Sequence, residues 1–173
     1  MKIAILNGSP RKNGNTSSLV NAFISGVKGH EIKLIRVADL NISPCRGCNL
    51  CAKDGKCVQN DQMNEIYDTL CDVETIVVAT PLYFYGISAQ LKCLIDRLHN
   101  PVRDSFKVKK LVLLACGGSS KPHIFEPLKA QYKVICDYFG LESVGVVTAY
   151  GARGEGLVDE TYLLEAQKIA EKL

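Results

Sequence analysis

Short apolar runs alternate along the chain with longer stretches in which apolar residues recur every third or fourth position. Residues 2–6 (KIAIL), 32–37 (IKLIRV), 75–80 (TIVVAT), 110–116 (KLVLLAC) and 144–149 (VGVVTA) read as strands. Those at 76–79 and 111–115 are apolar without a break, as strands buried on both faces of a parallel sheet must be. Between them lie helical stripes: Leu19, Phe23 and Val27, then Leu91, Leu94, Ile95 and Leu98, then Tyr162, Ala166, Ile169 and Leu173. Strands alternating with helices predict an α/β fold, a doubly wound five-stranded parallel sheet with helices on both faces. The common strand order for five is 2-1-3-4-5, with a crevice outside the carboxyl ends of the strands where the first and third lie side by side. The loops after strands one, three and four are therefore where chemistry is expected.

The length of 173 residues suits one domain, residues 1–173, with a cysteine-rich loop at about 41–61. The net charge is +3 and the basic residues are scattered, with KVKK at 107–110 the one tight cluster, so nucleic acid is not an expected partner. No stretch reaches the roughly 18 apolar residues of a membrane-crossing helix. The start, MKIAILNGSP, is too short an apolar run for a secretion signal. The expectation is a cytoplasmic protein away from membranes, in a compartment that keeps thiols reduced and disfavours disulfides.

The first loop, NGSPRKNGNTSS at 7–18, matches neither nucleotide template. A G-x₄-G-K-[ST] loop fails because five residues separate Gly8 from Gly14 and Asn15 stands where the lysine belongs; G-x-G-x-x-G is absent. What remains is a glycine-bearing loop rich in hydroxyls and amides that opens a helix, whose free N–H groups bind anions. Arg11 adds charge, but no lysine is placed to polarise a transferring phosphate, so the loop suits holding a phosphate rather than cleaving it. The loop after the third strand, TPLYFYGISAQLKCLIDRL, sets three aromatics between Pro81 and Gly86, with Gly86 expected to permit the turn. The fourth strand ends in ACGGSSKPH, where Gly117 and Gly118 allow close backbone approach. GARGEG, at 151–156, reads equally as a mobile flap or a plain loop.

GSPR-x-x-GNT-x-x-L, Gly8 to Leu19, resembles the phosphate loop of the flavodoxin-like NAD(P)H-dependent FMN reductases, and the likeness runs along the whole chain. It implies that Ser9, Arg11, Asn15, Thr16 and Ser17 surround the FMN phosphate. The segment from Pro81 resembles the family's P-x-Y-x-x-x-x-x-x-L-K-x-x-I-D-R stretch. That likeness sets Pro81, Leu82, Tyr83, Phe84 and Gly86 against the isoalloxazine ring, and backbone groups of Cys116, Gly117, Gly118 and Ser119 against its carbonyl and imide positions. Lys92, Asp96 and Arg97 are expected on a helix surface or interface rather than in catalysis.

Cys45, Cys48, Cys51 and Cys57, four of the eight cysteines, form C-x₂-C-x₂-C-x₅-C between the second strand and the next helix. Structural zinc sites use two C-x₂₋₄-C pairs set well apart. A cysteine at every third residue instead resembles the run that wraps iron–sulfur clusters. The iron–sulfur flavoproteins of the same superfamily carry a compact C-x₂-C-x₂-C-x₄₋₇-C motif in this loop, and the likeness implies one [4Fe–4S] cluster near FMN, with zinc or free thiols as alternatives. Cys71, Cys93, Cys116 and Cys136 read as buried small hydrophobes, with Cys116 the exception, since its strand end is expected to open onto the flavin.

These features and the resemblance predict an FMN-dependent oxidoreductase with a [4Fe–4S] cluster beside the flavin, moving electrons between NAD(P)H, or a ferredoxin-like donor, and an acceptor, with the flavin and not a side chain performing the chemistry. The alternatives are an NAD(P)H-dependent FMN or quinone reductase without a cluster, and a non-enzymatic flavodoxin-type carrier. The resemblance also implies a homodimer or homotetramer.

Overall fold

Alternate residues of the apolar runs enter two different cores. In the structure, a computed structural model describing residues 1–173, Ile76 and Val78 join one core while Val77 and Ala79 join the other. An unbroken apolar run is therefore two interleaved faces, each buried under its own helices. The strands are β1 (Lys2–Asn7), β2 (Glu31–Arg36), β3 (Thr75–Pro81), β4 (Lys110–Cys116) and β5 (Glu142–Ala149), all parallel in the order β2-β1-β3-β4-β5. The flavodoxin-like class and strand order expected from the pattern are those observed. Strand ends differ by one or two residues, and β5 starts at Glu142 with a register shift opposite Leu111 and Val112.

Helices α1 (Asn15–Gly26) and α6 (Glu160–Ala170) cover one face, packing Leu19, Phe23, Ala166 and Ile169 on the sheet. The other face carries α3 (Met63–Leu70), α4 (Ala89–Ile95) and α5 (Glu126–Phe139). A one-turn helix, α2 (Leu50–Asp54), lies within the cysteine segment, bounded by left-handed Asn49 and Gly55. The stripe through Leu98 outruns α4: the helix ends at Ile95, and Leu98 is buried from the turn that follows. The α5 stripe of Leu128, Tyr132 and Cys136 is as clear at a spacing of four, but it begins behind Pro122 and Pro127, which mask its start in sequence.

Helices α1 and α6 touch where Gly26 meets the last turn of α6. A β-carbon on Gly26 would lie 2.4 Å from the backbone oxygen of Gln167 and 3.1 Å from the Ala170 β-carbon. Helix propensity favours alanine over glycine by about 1 kcal/mol, but a backbone clash cannot be relieved by a rotamer change and overpacking costs about 1–3 kcal/mol. Gly26→Ala should therefore lower stability against urea, whereas a gain would show that the two helices are free to separate.

Candidate functional site

Strand β1 hands the chain to a loop stitched from below. Gly8 N–H donates to Ala79 O at 2.8 Å, and Gly8 O accepts from Ser88 Oγ at 2.7 Å. Ser88 in turn caps α4 by accepting from Leu91 N–H, and its own N–H donates to Thr80 Oγ1. A β-carbon at Gly8 would sit 2.8 Å from both the Leu91 β-carbon and Ser88 Oγ, so only glycine allows this approach. Asn7 Oδ1 accepts from Ser9 N–H, while its amide donates to Ser17 Oγ at 3.4 Å. Ser9 Oγ accepts from Arg11 N–H.

Helix α1 then begins at Gly14 with no side-chain cap. The N–H groups of Gly14, Asn15 and Thr16 donate to no protein group, and Arg11 and Lys12 are exposed beside them. Uncapped N–H groups at the positive end of a helix dipole, with cations alongside, form an anion site. Of the residues expected around a phosphate, the loop brings together Ser9, Arg11 and Ser17, together with the backbone N–H groups of Asn15 and Thr16.

The side chains of Asn15 and Thr16 go elsewhere. The Asn15 amide donates to Ala152 O and Gly154 O at 3.0 and 2.7 Å, and Asn15 Oδ1 accepts from Leu157 N–H. All of its strong hydrogen-bonding reach is spent tying the 151–157 segment to the loop. That segment is thus no free flap: Gly151 and Ala152 N–H also bond to Ser119 O and Gly117 O. Thr16 Oγ1 contacts Cys116 Sγ at 3.2 Å, with both residues buried. The Cys116 side chain is therefore turned inward, against Thr16. Burial pushes its thiol up, against smaller opposing pulls from the Thr16 hydrogen bond and the Arg11 charge.

Gly117 and Gly118 make room for neighbours within the chain. A β-carbon on Gly117 would approach Phe125 at 3.1 Å, and one on Gly118 would meet Arg153 Cγ at 3.2 Å. Arg153 lies across Gly118 and donates to its carbonyl at 2.8 Å.

Beyond Pro81, Leu82 N–H pairs with Cys116 O at 2.7 Å, and residues 83–86 close a two-residue turn through paired Tyr83–Gly86 backbone bonds. The left-handed positions are Phe84 (φ 46°) and Tyr85 (φ 68°), not Gly86. Bulky residues pay about 1–2 kcal/mol each there, and a turn of this kind normally selects Asn-Gly. Phe84 is nevertheless 97% exposed, with Tyr83 and Tyr85 about half so. Strained, exposed aromatics at a strand end are a feature of ligand-contacting loops.

The cysteine segment is fastened at its ends. Arg97, expected on a surface, is 2% exposed: the chain turns after α4 and carries its guanidinium under residues 43–61. Nη1 donates to Asp61 Oδ2 at 2.6 Å and to Ser43 O at 3.1 Å, and Nη2 approaches Cys57 Sγ at 3.5 Å. Lys92 and Asp96 do lie on the surface, paired with each other. Cys45 and Cys48 are exposed, and Cys51 and Cys57 are half-buried. In kind and number these thiols fit an iron–sulfur cluster, but no three metal-binding side chains converge in this conformation, so ligation requires the segment to draw together. An apolar cavity of about 110 Å³ lies away from all these loops, against the sheet between α4 and α5; every lining residue except Arg103 and Gln131 is hydrophobic, and it belongs to the core.

A parallel sheet with an anion loop after its first strand and an aromatic loop after its third is the flavin-binding class of flavodoxin-like proteins. The sequence matches the NADPH-dependent FMN reductase family over residues 1–150, and the chain belongs to that family. An iron–sulfur flavoprotein of Methanocaldococcus jannaschii is 40% identical over 123 residues, which span 69% of this chain and 63% of that one. A putative NAD(P)H-dependent FMN-containing oxidoreductase of Bacillus subtilis is 30% identical, covering 99% of this chain and 98% of its own. Among solved structures, an NAD(P)H:quinone oxidoreductase from Methanothermobacter marburgensis superposes with TM-score 0.81 over 99% of this chain and 95% of that one; at 16% identity it shows the fold alone. No helix is long and apolar enough to cross a membrane.

Two outcomes follow from this geometry. Replacing Phe84 and Tyr85 together by Asn and Gly should raise stability by about 1–2 kcal/mol in urea denaturation, and no gain would mean that the turn is unstrained. Burial alone would raise the Asp61 carboxyl, but hydrogen bonds from Arg97, Ser43 and Met63, with the Arg97 charge, hold it below the usual carboxylate range. A depressed native pKa contributes stability above the unfolded value of about 3.9, lost as pH falls through the native one. Asp61→Asn should thus cost about 3 kcal/mol at pH 7, and its deficit relative to wild type should shrink below about pH 4. A deficit independent of pH would exclude the ion pair as its source.

Proposed function

We propose that this chain is an FMN-dependent oxidoreductase of the iron–sulfur flavoprotein type, passing electrons from NAD(P)H or a ferredoxin-like protein through FMN and a [4Fe–4S] cluster to an acceptor. The observation that carries the flavin half is the uncapped start of α1, where the N–H groups of Gly14, Asn15 and Thr16 lack protein partners. A phosphate monoester answers that demand: it supplies acceptors to the backbone donors and negative charge to the helix end and Arg11. Ser9 and Ser17 hydroxyls complete the cradle, and Ser88 and Asn7 keep its backbone from moving.

Bound FMN supplies the redox chemistry, exchanging electrons in pairs or singly. The residues of this chain orient it. Tyr83, Phe84 and Tyr85 offer apolar walls for a flat ring, and the 116–119 loop offers backbone groups at its edge. The loop itself is held by Arg153 and the 151–157 segment. Dimer or tetramer formation, proposed with this reading, would cover the exposed aromatic turn.

The cluster half rests on Cys45, Cys48, Cys51 and Cys57 and on similarity to proteins named iron–sulfur flavoproteins. A [4Fe–4S] cluster passes electrons one at a time and supplies the second redox centre. A reductase without a cluster is the second reading, favoured by the dispersed positions of the four thiols.

Anaerobic purification followed by a visible spectrum and assays of iron and acid-labile sulfide tests both halves. A flavin spectrum with about four irons per chain is expected. Flavin without iron or sulfide after reconstitution selects the second reading, and no retention of micromolar FMN overturns the whole proposal. Cys57→Ala should abolish iron binding with FMN affinity within about twofold of wild type; joint loss would make the segment structural.

A further inference from the structure

Arg97 is the one fully buried cation of the chain, and it does not serve the flavin crevice. Its partners all belong to the cysteine segment. Ser43 and Asp61, eighteen positions apart in sequence, meet on its guanidinium: Ser43 O and Asp61 Oδ2 accept from Nη1, while Ser43 N–H donates back to Asp61 Oδ2 at 3.0 Å. Asp61 Oδ1 also accepts from Met63 N–H at the start of α3. All four cysteines of the motif lie inside the loop so closed. The backbone of Arg97 is fixed as well, because the buried Tyr67 hydroxyl donates to its carbonyl at 3.0 Å.

Two features of this group are not explained by loop closure alone. Nη2 is aimed at Cys57 Sγ, and Nε is buried without any hydrogen-bond partner. A guanidinium carries five donors in a fixed fork, and leaving one unpaired in the interior is costly. Cys57 also borders a cavity of about 230 Å³ that it shares with Tyr67 and Asn100. A neutral thiol is a weak acceptor that gives Arg97 little in return. A ligating thiolate, with the sulfides of a cluster behind it, would supply both the charge and the acceptors.

We infer that Arg97 is the positioning residue of the cluster site: it closes the base of the loop through Asp61 and Ser43 and donates to the sulfur of Cys57, the fourth ligand. This rests on the cluster reading proposed above. A hydrogen bond to a ligand sulfur and a nearby positive charge both favour the reduced, more negative cluster. Arg97 therefore raises the reduction potential as well as retaining the fourth ligand.

The test compares Arg97→Gln, Arg97→Lys and Asp61→Asn with wild type, each first shown to be folded by circular dichroism. After anaerobic reconstitution, Arg97→Gln should hold several-fold less iron and sulfide than wild type at equal FMN content. Arg97→Lys, which keeps the charge and the pairing with Asp61, should keep the cluster, with a midpoint potential more negative than wild type. Amide exchange at Ser43, measured on the metal-free proteins, should be faster in Arg97→Gln and Asp61→Asn than in wild type and Arg97→Lys. Wild-type iron content and potential in Arg97→Gln, or loss of FMN in step with iron, would overturn the inference. If wild type itself takes up no iron or sulfide, the cluster reading is what has failed, and the donation to a ligand sulfur falls with it. The Ser43 exchange then decides the loop-closing role by itself: equal rates in all four proteins would overturn that too.

Discussion

A sheet whose strands all run one way places every carboxyl end on one edge, and the connections must return past its faces. Strand β1 occupies the centre of that constraint. Its crossover to β2 leaves on the side of α1, and the crossover from β2 to β3 returns on the side of α3, so neither helix lies over the point where β1 and β3 end side by side. The gap is a consequence of topology rather than of any one residue. Everything at the candidate site exploits it: the uncapped α1 end, the aromatic turn after β3 and the glycine loop after β4 meet there because the ladder from Asn7 through Ala79 to Leu114 holds the strand ends in register.

Loops at such a gap carry buried backbone groups that no ladder satisfies, and here short side chains complete them. Ser88 accepts one hydrogen bond and donates another, thereby linking the carbonyl of Gly8 to the start of α4. Thr80 receives the Ser88 N–H, and Asn7 receives the Ser9 N–H. Each bond contributes only about 1 kcal/mol net, but an unpaired buried partner costs about 1–3 kcal/mol. The network consequently specifies one loop conformation more than it adds stability. The groups left out of it are the N–H groups of Gly14, Asn15 and Thr16, which no protein acceptor meets.

The strands could be read from sequence because burial on both faces leaves an unbroken apolar run, and their order because doubly wound five-stranded sheets commonly take it. Contacts between residues distant in sequence could not be read. Asn15 looks like a phosphate donor until Ala152, Gly154 and Leu157 are known to lie beside it, 137 to 142 residues away. Gly118 looks like space for a ligand until Arg153 fills it. Arg97 looks like surface because LKCLIDRL reads as one amphipathic helix; the helix ends at Ile95, and the change of direction turns an outward position inward. No local signal marked it, since Arg97 stands outside the stripe of Leu91, Leu94, Ile95 and Leu98. The left-handed Phe84 and Tyr85 gave no signal at all, since local preference argues against them.

The cysteine segment shows how a loop can be both defined and adaptable. Bringing together residues as far apart as Ser43 and Asp61 costs on the order of 2–3 kcal/mol of chain entropy. A buried ion pair with its remaining acceptors occupied by backbone N–H groups offsets that cost at the base. Between Cys45 and Cys51 the chain is bound to the rest of the protein by no comparable contact, and two of the thiols face solvent. Had the whole segment been fixed, four sulfurs would need their final geometry before any ligand arrived, and four thiolates held close together repel one another. With the base fixed and the tip free, the four thiols need not stand close together. Cys57 is the sulfur that meets this fixed base, through the Arg97 guanidinium.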